Sequence, residues 1–227
     1  MKKIIEIKSS ERSPLLDVVD KLFCINLESR TDKLKNATEE FERVGMHGVE
    51  LFAAIDGKKL GLKSTEPRIT PGMIGCFRSH VEILNSVIER GLNSYCVFED
   101  DIKLVDGFNE FLTIALPLLP EDWEFVYLGC TEYSGFGTYK KMVNDFWVIP
   151  SSAWGTQCFM VKGKNALLKL QAYLKKQQMQ IDEQISNIFL PSSGVKCYSI
   201  FPSIVAQNFE MGSDVQQNKD GITYGLP

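Results

Sequence analysis

Short apolar runs alternate along this chain with segments whose apolar residues recur every three or four positions. The runs at residues 21–27, 49–54, 95–98, 124–128, 146–149, 157–161 and 197–201 predict strands. Near-continuous apolar character in such runs is that of strands buried on both faces. Helical patterns lie between them. Leu34, Ala37, Phe41 and Val44 fall at helical spacing, and Gly45 stops the run. Thr70-Pro71 supplies an N-cap followed by proline in the first turn. Behind it Ile74, Phe77, Val81, Leu84 and Ile88 form an apolar stripe that ends at Gly91. Further helices are predicted over residues 165–177 and from about Asp182, with Ile185, Ile188 and Phe189 turned inward. This alternation predicts an α/β fold built from βαβ units, with a mostly parallel central sheet. Residues 1–20 fit neither period and read as an N-terminal arm or an extra strand.

Composition adds bounds. The chain has 227 residues, 44% hydrophobic and 24% charged, which suits one α/β domain over residues 21–227. A formal net charge of −4 weighs against a dedicated duplex-DNA binder, though not against a local basic groove. Six cysteines occur with no C-x-x-C pair, mostly inside apolar runs, which reads as small buried hydrophobes and argues against a zinc cluster. Met1-Lys2-Lys3 is not followed by an apolar signal core, and the window at 111–120 is too short to span a bilayer and contains Pro117. The expectation is a soluble, cytoplasmic protein with no transmembrane segment, with peripheral attachment to a membrane left open.

The strongest chemical signal is Tyr95-Cys96-Val97-Phe98-Glu99-Asp100-Asp101. Three carboxylates follow a core strand, and their repulsion calls for water or a cation. Oxygen-only ligands suit magnesium, manganese or calcium, and ligands of open α/β sheets bind beyond the carboxyl ends of strands. A solvated acidic turn is the bland alternative. Asn26, Leu27 and Arg30 end another strand, where Asn26 offers both donors and acceptors and Arg30 a planar fork for phosphate. Asp56-Gly57 ends a third, where a carboxylate suits a ribose hydroxyl but also an ordinary turn. Gly75 costs a helix about 1 kcal/mol relative to alanine, which points to a close backbone approach there. Ser79 and His80 flank the apolar stripe, and with only His47 besides, a His-based triad has little material. Asp182 opens a helix, either as an N-cap or as a general base aimed into a cleft.

Taken in order, these segments resemble glycosyltransferase family 25. The resemblance rests on Phe23-Cys24-Ile25-Asn26-Leu27-Glu28-Ser29-Arg30, Ala54-Ile55-Asp56-Gly57, Thr70 through His80, and Val97-Phe98-Glu99-Asp100-Asp101. Weaker similarity continues through Trp154-Gly155-Thr156, Asp182, residues 202–207 and Ser213-Asp214. Two departures stand out: Glu99 occupies the first place of a D-x-D-like motif, and Lys33 stands where the family often has a second arginine.

The resemblance implies a single GT-A (Rossmann-like) domain and a metal-dependent, inverting transfer of a hexose, galactose or glucose, from a UDP-sugar. The implied acceptor is a hydroxyl on a cell-surface glycan such as lipooligosaccharide. Glu99 and Asp101 would hold Mn2+ or Mg2+, and Asp100 the donor ribose or sugar. Asn26, Leu27, Arg30, Asp56, Gly57, Ser79 and His80 would surround the nucleotide. Asp182 is the candidate base, with Glu183 next. Three other readings fit less of this pattern: a glycosyltransferase acting on hydroxylated DNA bases, a catalytically silent nucleotide-sugar-binding module, and a phosphoryl-transfer enzyme, which the lack of a P-loop disfavours.

Overall fold

A computed structural model describes residues 13–131, 139–151 and 153–215. Eight strands form one sheet: β1 (Leu22–Asn26), β2 (Val49–Ala53), β3 (Ser94–Phe98), β5 (Phe125–Thr131), β6 (Tyr139–Met142), β7 (Trp147–Pro150), β8 (Trp154–Lys162) and β9 (Cys197–Ile200). Their order is β2-β1-β3-β8-β5-β9-β7-β6, and β4 (Ile102–Leu104) pairs separately with β10 (Val205–Gln207).

The α/β class matches the sequence pattern, but the sheet is mixed. The pairs β1–β2, β1–β3 and β5–β9 are parallel, whereas β8 runs antiparallel to β3 and β5. A parallel return needs a long crossover, usually helical. Strands β6 and β7 pair antiparallel in the connection from β5 to β8, and β8 comes back the opposite way.

Alternation along each central strand divides the core in two. Cys24, Cys96, Phe98, Val126, Cys158 and Met160 face one layer, where α1 (Thr31–Arg43) and α3 (Phe108–Ala115) pack. Phe23, Tyr95, Val97, Phe125, Tyr127 and Phe159 face the other. That side is covered by α2 (Pro71–Glu89), α4 (Lys164–Tyr173) and α5 (Ile181–Gln184), the last continuing through a π-helical turn (Ile185–Phe189) into α6 (Leu190–Ser193). Both faces of the central strands are dry, which is why these strands read as unbroken apolar runs.

Helix α2 opens as expected, with the Thr70 hydroxyl accepting from Met73 N at 3.2 Å and Pro71 in the first turn. Within 13–20 the chain forms a 3-10 turn, Pro14–Asp17; Leu15 in the turn and Val19 after it enter the core. Residues 1–12 of the expected arm or extra strand lie outside the described residues. The apolar window near 111–120 is the end of α3 and a following 3-10 turn. No described helix is long and apolar enough to cross a membrane.

Candidate active site

The parallel strands β2, β1 and β3 end side by side, with Asn26 opposite Ala53 and Cys24 opposite Phe98. Because β8 is antiparallel to β3, it begins at the same edge, and Glu99 N donates to Gln157 O at 3.0 Å. The loops beyond these ends enclose a cavity of about 210 Å3. Leu27, Lys33, Asp56, His80, Asp100 and Asp214 are among its walls.

Two glycines let the wall form. A Cβ on Gly57 would stand 1.8 Å from Pro71 O, and one on Gly75 would stand 2.2 Å from Ile55 O. The 55–57 loop therefore lies directly on the first turns of α2. Ser79 pins it: its hydroxyl donates to Gly75 O and accepts from Ile55 N, each at 2.8 Å. Asp56 accepts from Lys59 N at 2.9 Å, so it shapes its turn while one face borders the cavity.

The carboxylates crowd the cavity floor. Asn26 donates to Asp100 Oδ2 at 2.7 Å and to Arg30 O at 3.1 Å. Lys33, almost fully buried, contacts Asp101 at 2.9 Å, Asp214 at 2.8 Å and Asp100 at 3.9 Å. Burial alone would discharge its ammonium; these carboxylates outweigh that and raise its pKa. Arg30 is taken up by Asp32, Asp214 and the Met211 carbonyl.

Cationic compensation is incomplete. Burial, with Asp101 and Glu99 nearby, pushes Asp100 up to about 7 despite Lys33 and Asn26. Burial and Glu99 likewise raise Asp101, whose Oδ1 is buried with no hydrogen-bond partner among the described residues. Glu99 goes the other way. Burial raises it, but His80, the Thr156 hydroxyl at 2.5 Å and Lys33 together hold it below the usual range. An all-oxygen cluster with surplus negative charge and an orphaned carboxylate oxygen fits a hard divalent cation.

A second pocket of about 110 Å3 adjoins the first, and Glu99, Cys76, Gln207, Ser213 and Val215 border both. Asp182 borders this second pocket alone. The helix starts a residue before Asp182, with Gln180 as the N-cap residue, so Asp182 sits in the first turn and is not the cap. Its Oδ2 accepts from Gly155 N at 3.1 Å and its Oδ1 from Glu183 N at 2.9 Å. Burial raises its pKa despite these two backbone donors.

Residues 19–185 match glycosyltransferase family 25, described as an LPS biosynthesis protein family. The chain belongs to glycosyltransferase family 25. Within that family it is 24% identical to procollagen galactosyltransferase 1 of Danio rerio, over 76% of this chain but 31% of the relative. It is 26% identical to a Haemophilus influenzae protein described as a glycosyltransferase, over 88% of this chain and 77% of that one. The chain thus spans about a third of the procollagen enzyme and most of the bacterial protein. A solved glycosyltransferase involved in glycosylating the major capsid of the virus PBCV-1 superposes with a TM-score of 0.51 at 12% identity, covering 82% of this chain and 92% of that one. That likeness establishes the fold, a GT-A-like α/β architecture.

In this family 25 chain, Leu27, Asp56, Gly57, Ser79, His80, Glu99, Asp100 and Asp101 all border the first cavity. Asn26 and Arg30 do not; Asn26 holds Asp100, and Arg30 holds the segment at 211–214. Lys33, Cys76, Thr156, Gln207 and Asp214 join the site without having been singled out as functional from sequence. Thr156, Gln207 and Asp214 fall in the weaker stretches of the family resemblance, which is the signal that carried them. Cys24, Cys96 and Cys158 are buried, as expected, but Cys76 is half-buried and faces the cavity.

Proposed function

We propose that the chain is a metal-dependent, inverting hexosyltransferase that moves galactose or glucose from a UDP-sugar to an acceptor hydroxyl on a cell-surface glycan such as lipooligosaccharide. The observation that carries this reading is the carboxylate cluster Glu99-Asp100-Asp101 on the floor of a cavity at the carboxyl ends of parallel strands, beside a second pocket that holds Asp182. The galactosyltransferase and LPS-biosynthesis names of the relatives support the choice of sugar and acceptor.

In this reading Glu99 and Asp101 hold Mn2+ or Mg2+, and Asp100, kept in place by Asn26, faces the donor ribose or sugar. The ion, when bound, supplies Lewis-acid stabilisation of the departing diphosphate. Asp56 and Leu27 border the nucleotide, and Gly57 and Ser79 hold the wall against which it lies. Lys33 stays charged beside the acidic floor, where it opposes the burial that raises Asp101 and helps Arg30 hold Asp214 low. Asp182 receives the proton of the acceptor hydroxyl from the neighbouring pocket. Its raised pKa strengthens it as a base, and its two backbone donors fix the direction of the carboxylate. With acceptor and leaving group in adjoining pockets, a single in-line displacement inverts the sugar carbon.

A panel of nucleotide sugars, screened with Mn2+ or Mg2+ for thermal stabilisation and slow donor hydrolysis, tests this. UDP-galactose or UDP-glucose is expected to respond, and Asp101→Ala to lose turnover while keeping its fold by circular dichroism. Full activity of Asp101→Ala at limiting metal would overturn the assignment.

A further inference from the structure

Cys76 and His80 bring sulfur and imidazole donors up to Glu99 at one side of the carboxylate floor; Cys76 and Glu99 border both pockets, and His80 the first. Cys76 and His80 lie one helical turn apart on α2, and Glu99 faces them from the end of β3. Cys76 Sγ, an imidazole nitrogen and a Glu99 oxygen all lie within 4.8 Å of one another, with His80 Nε2 3.9 Å from Glu99 Oε1.

The imidazole faces Glu99 at ion-pair distance but makes no hydrogen bond to it. His80 is 3% exposed, and its ring stacks on Phe159 at 5.6 Å. Its Nε2 is buried without a hydrogen-bond partner among the described residues, although it borders the cavity. Buried polar atoms are nearly always satisfied, so an aimed and unpaired one asks for a ligand. Thr156 donates to Glu99 Oε1 at 2.5 Å, the outer contact that orients a ligating carboxylate.

We infer that Cys76, His80 and Glu99 form a second metal site, one that takes a soft divalent ion such as Zn2+ in preference to the hard ion suited to the acidic floor. Sulfur, imidazole and a single carboxylate are zinc ligands, and three protein ligands leave a fourth position open toward the cavity. Bonds of roughly 2.0–2.3 Å require the ligand pairs to draw in by roughly an ångström, within reach of side-chain rotation. The Cys76 thiol gives up its proton to solvent as the metal–sulfur bond forms, so binding strengthens as pH rises. Glu99 is common to this site and to the hard-ion cluster of the proposed function. On that reading zinc here withdraws Glu99 from the floor and inhibits transfer.

Cobalt(II) is the probe, because thiolate coordination gives it a charge-transfer band in the near ultraviolet without any turnover. Titrated into the metal-free full chain, it is expected to produce that band at one equivalent, and excess Zn2+ to abolish it. Cys76→Ser and His80→Gln should each lose the band or weaken cobalt binding at least tenfold, while Asp101→Asn keeps it. Circular dichroism melts establish that each variant is folded. Absence of the band in the parent chain, its persistence in folded Cys76→Ser, or its loss in folded Asp101→Asn would each overturn the site. Because no donor or acceptor takes part, these outcomes are independent of whether the hexosyltransferase reading holds.

Discussion

Lys33 is the residue on which the acidic floor depends most. It is a buried ammonium shared by Asp101, Asp214 and, at longer range, Asp100. Removing one partner of a buried ion pair leaves charge uncompensated and typically costs about 3–5 kcal/mol. Lys33→Met is therefore expected to lose about 3 kcal/mol by urea denaturation in chelator, and saturating Mn2+ to restore part of it. An unchanged midpoint would mean that the floor does not need this cation. Asp182 gives a sharper separation. Asn in its place keeps an oxygen acceptor for Gly155 N or Glu183 N but removes the base. Asp182→Asn should bind the nucleotide diphosphate as the parent does, by calorimetry, while transfer falls at least a hundredfold, the lower range for losing a general base. Transfer at close to the parent rate would move the base elsewhere, with Glu183 next to be tried.

Among the elements, the contact between the 55–57 loop and α2 is the most exacting. Alanine normally favours a helix over glycine by about 1 kcal/mol. At position 75 the added methyl would meet Ile55 O at 2.2 Å, so backbone has to move. Gly75→Ala is expected to be net destabilising by about 1–3 kcal/mol, the usual range for overpacking. It should also weaken donor binding, read by calorimetry, because the loop it displaces carries Asp56. A stabilised variant with parent affinity would show that the loop is free to yield. This close approach was legible in the sequence as a glycine inside a strong helical stripe. So were β1, β3, α1 and α2, whose apolar runs or stripes are long. The short ribbon of β4 with β10 was not, because three residues per strand leave no period to read. Its absence from the sequence reading hid how Gln207 reaches Asp101 at 3.3 Å. Arg30 was only partly legible for a related reason: Asp32 is a local partner, but Met211 and Asp214 are about 180 residues away, beyond any local pattern.

For the whole molecule, the crowded floor makes stability depend on pH. A free aspartate ionises near 3.9, whereas Asp100 is pushed up to about 7. Between those values the folded chain keeps a proton that the unfolded chain has given up, so stability falls as pH rises through the interval. Asp101 and Asp182, also raised, act in the same direction. Glu99 and Asp214 are lowered, and their stabilisation is lost only at more acidic pH. The metal-free protein should therefore melt at a higher temperature near pH 5.5 than near pH 7.5. Asp100→Asn should flatten that slope, and saturating Mn2+ should remove most of it. A metal-free melting temperature that rises steadily from pH 5.5 to 7.5 would contradict this account.

Strand order also has a consequence for the chain while it is being made. Strand β8 lies between β3 and β5 but is translated after both. When residue 131 has been joined, β3 and β5 are complete, yet the edges they will share with β8 are bare. Thirty-one more residues complete β8 at Lys162. At typical synthesis rates that takes roughly two to six seconds. During this interval two apolar strands present unsatisfied backbone edges, the kind of surface that recruits foreign strands. Nascent chains stalled in this interval should need a chaperone most, and because β5 keeps its other edge bare until β9 is made, that need should end only past Ile200.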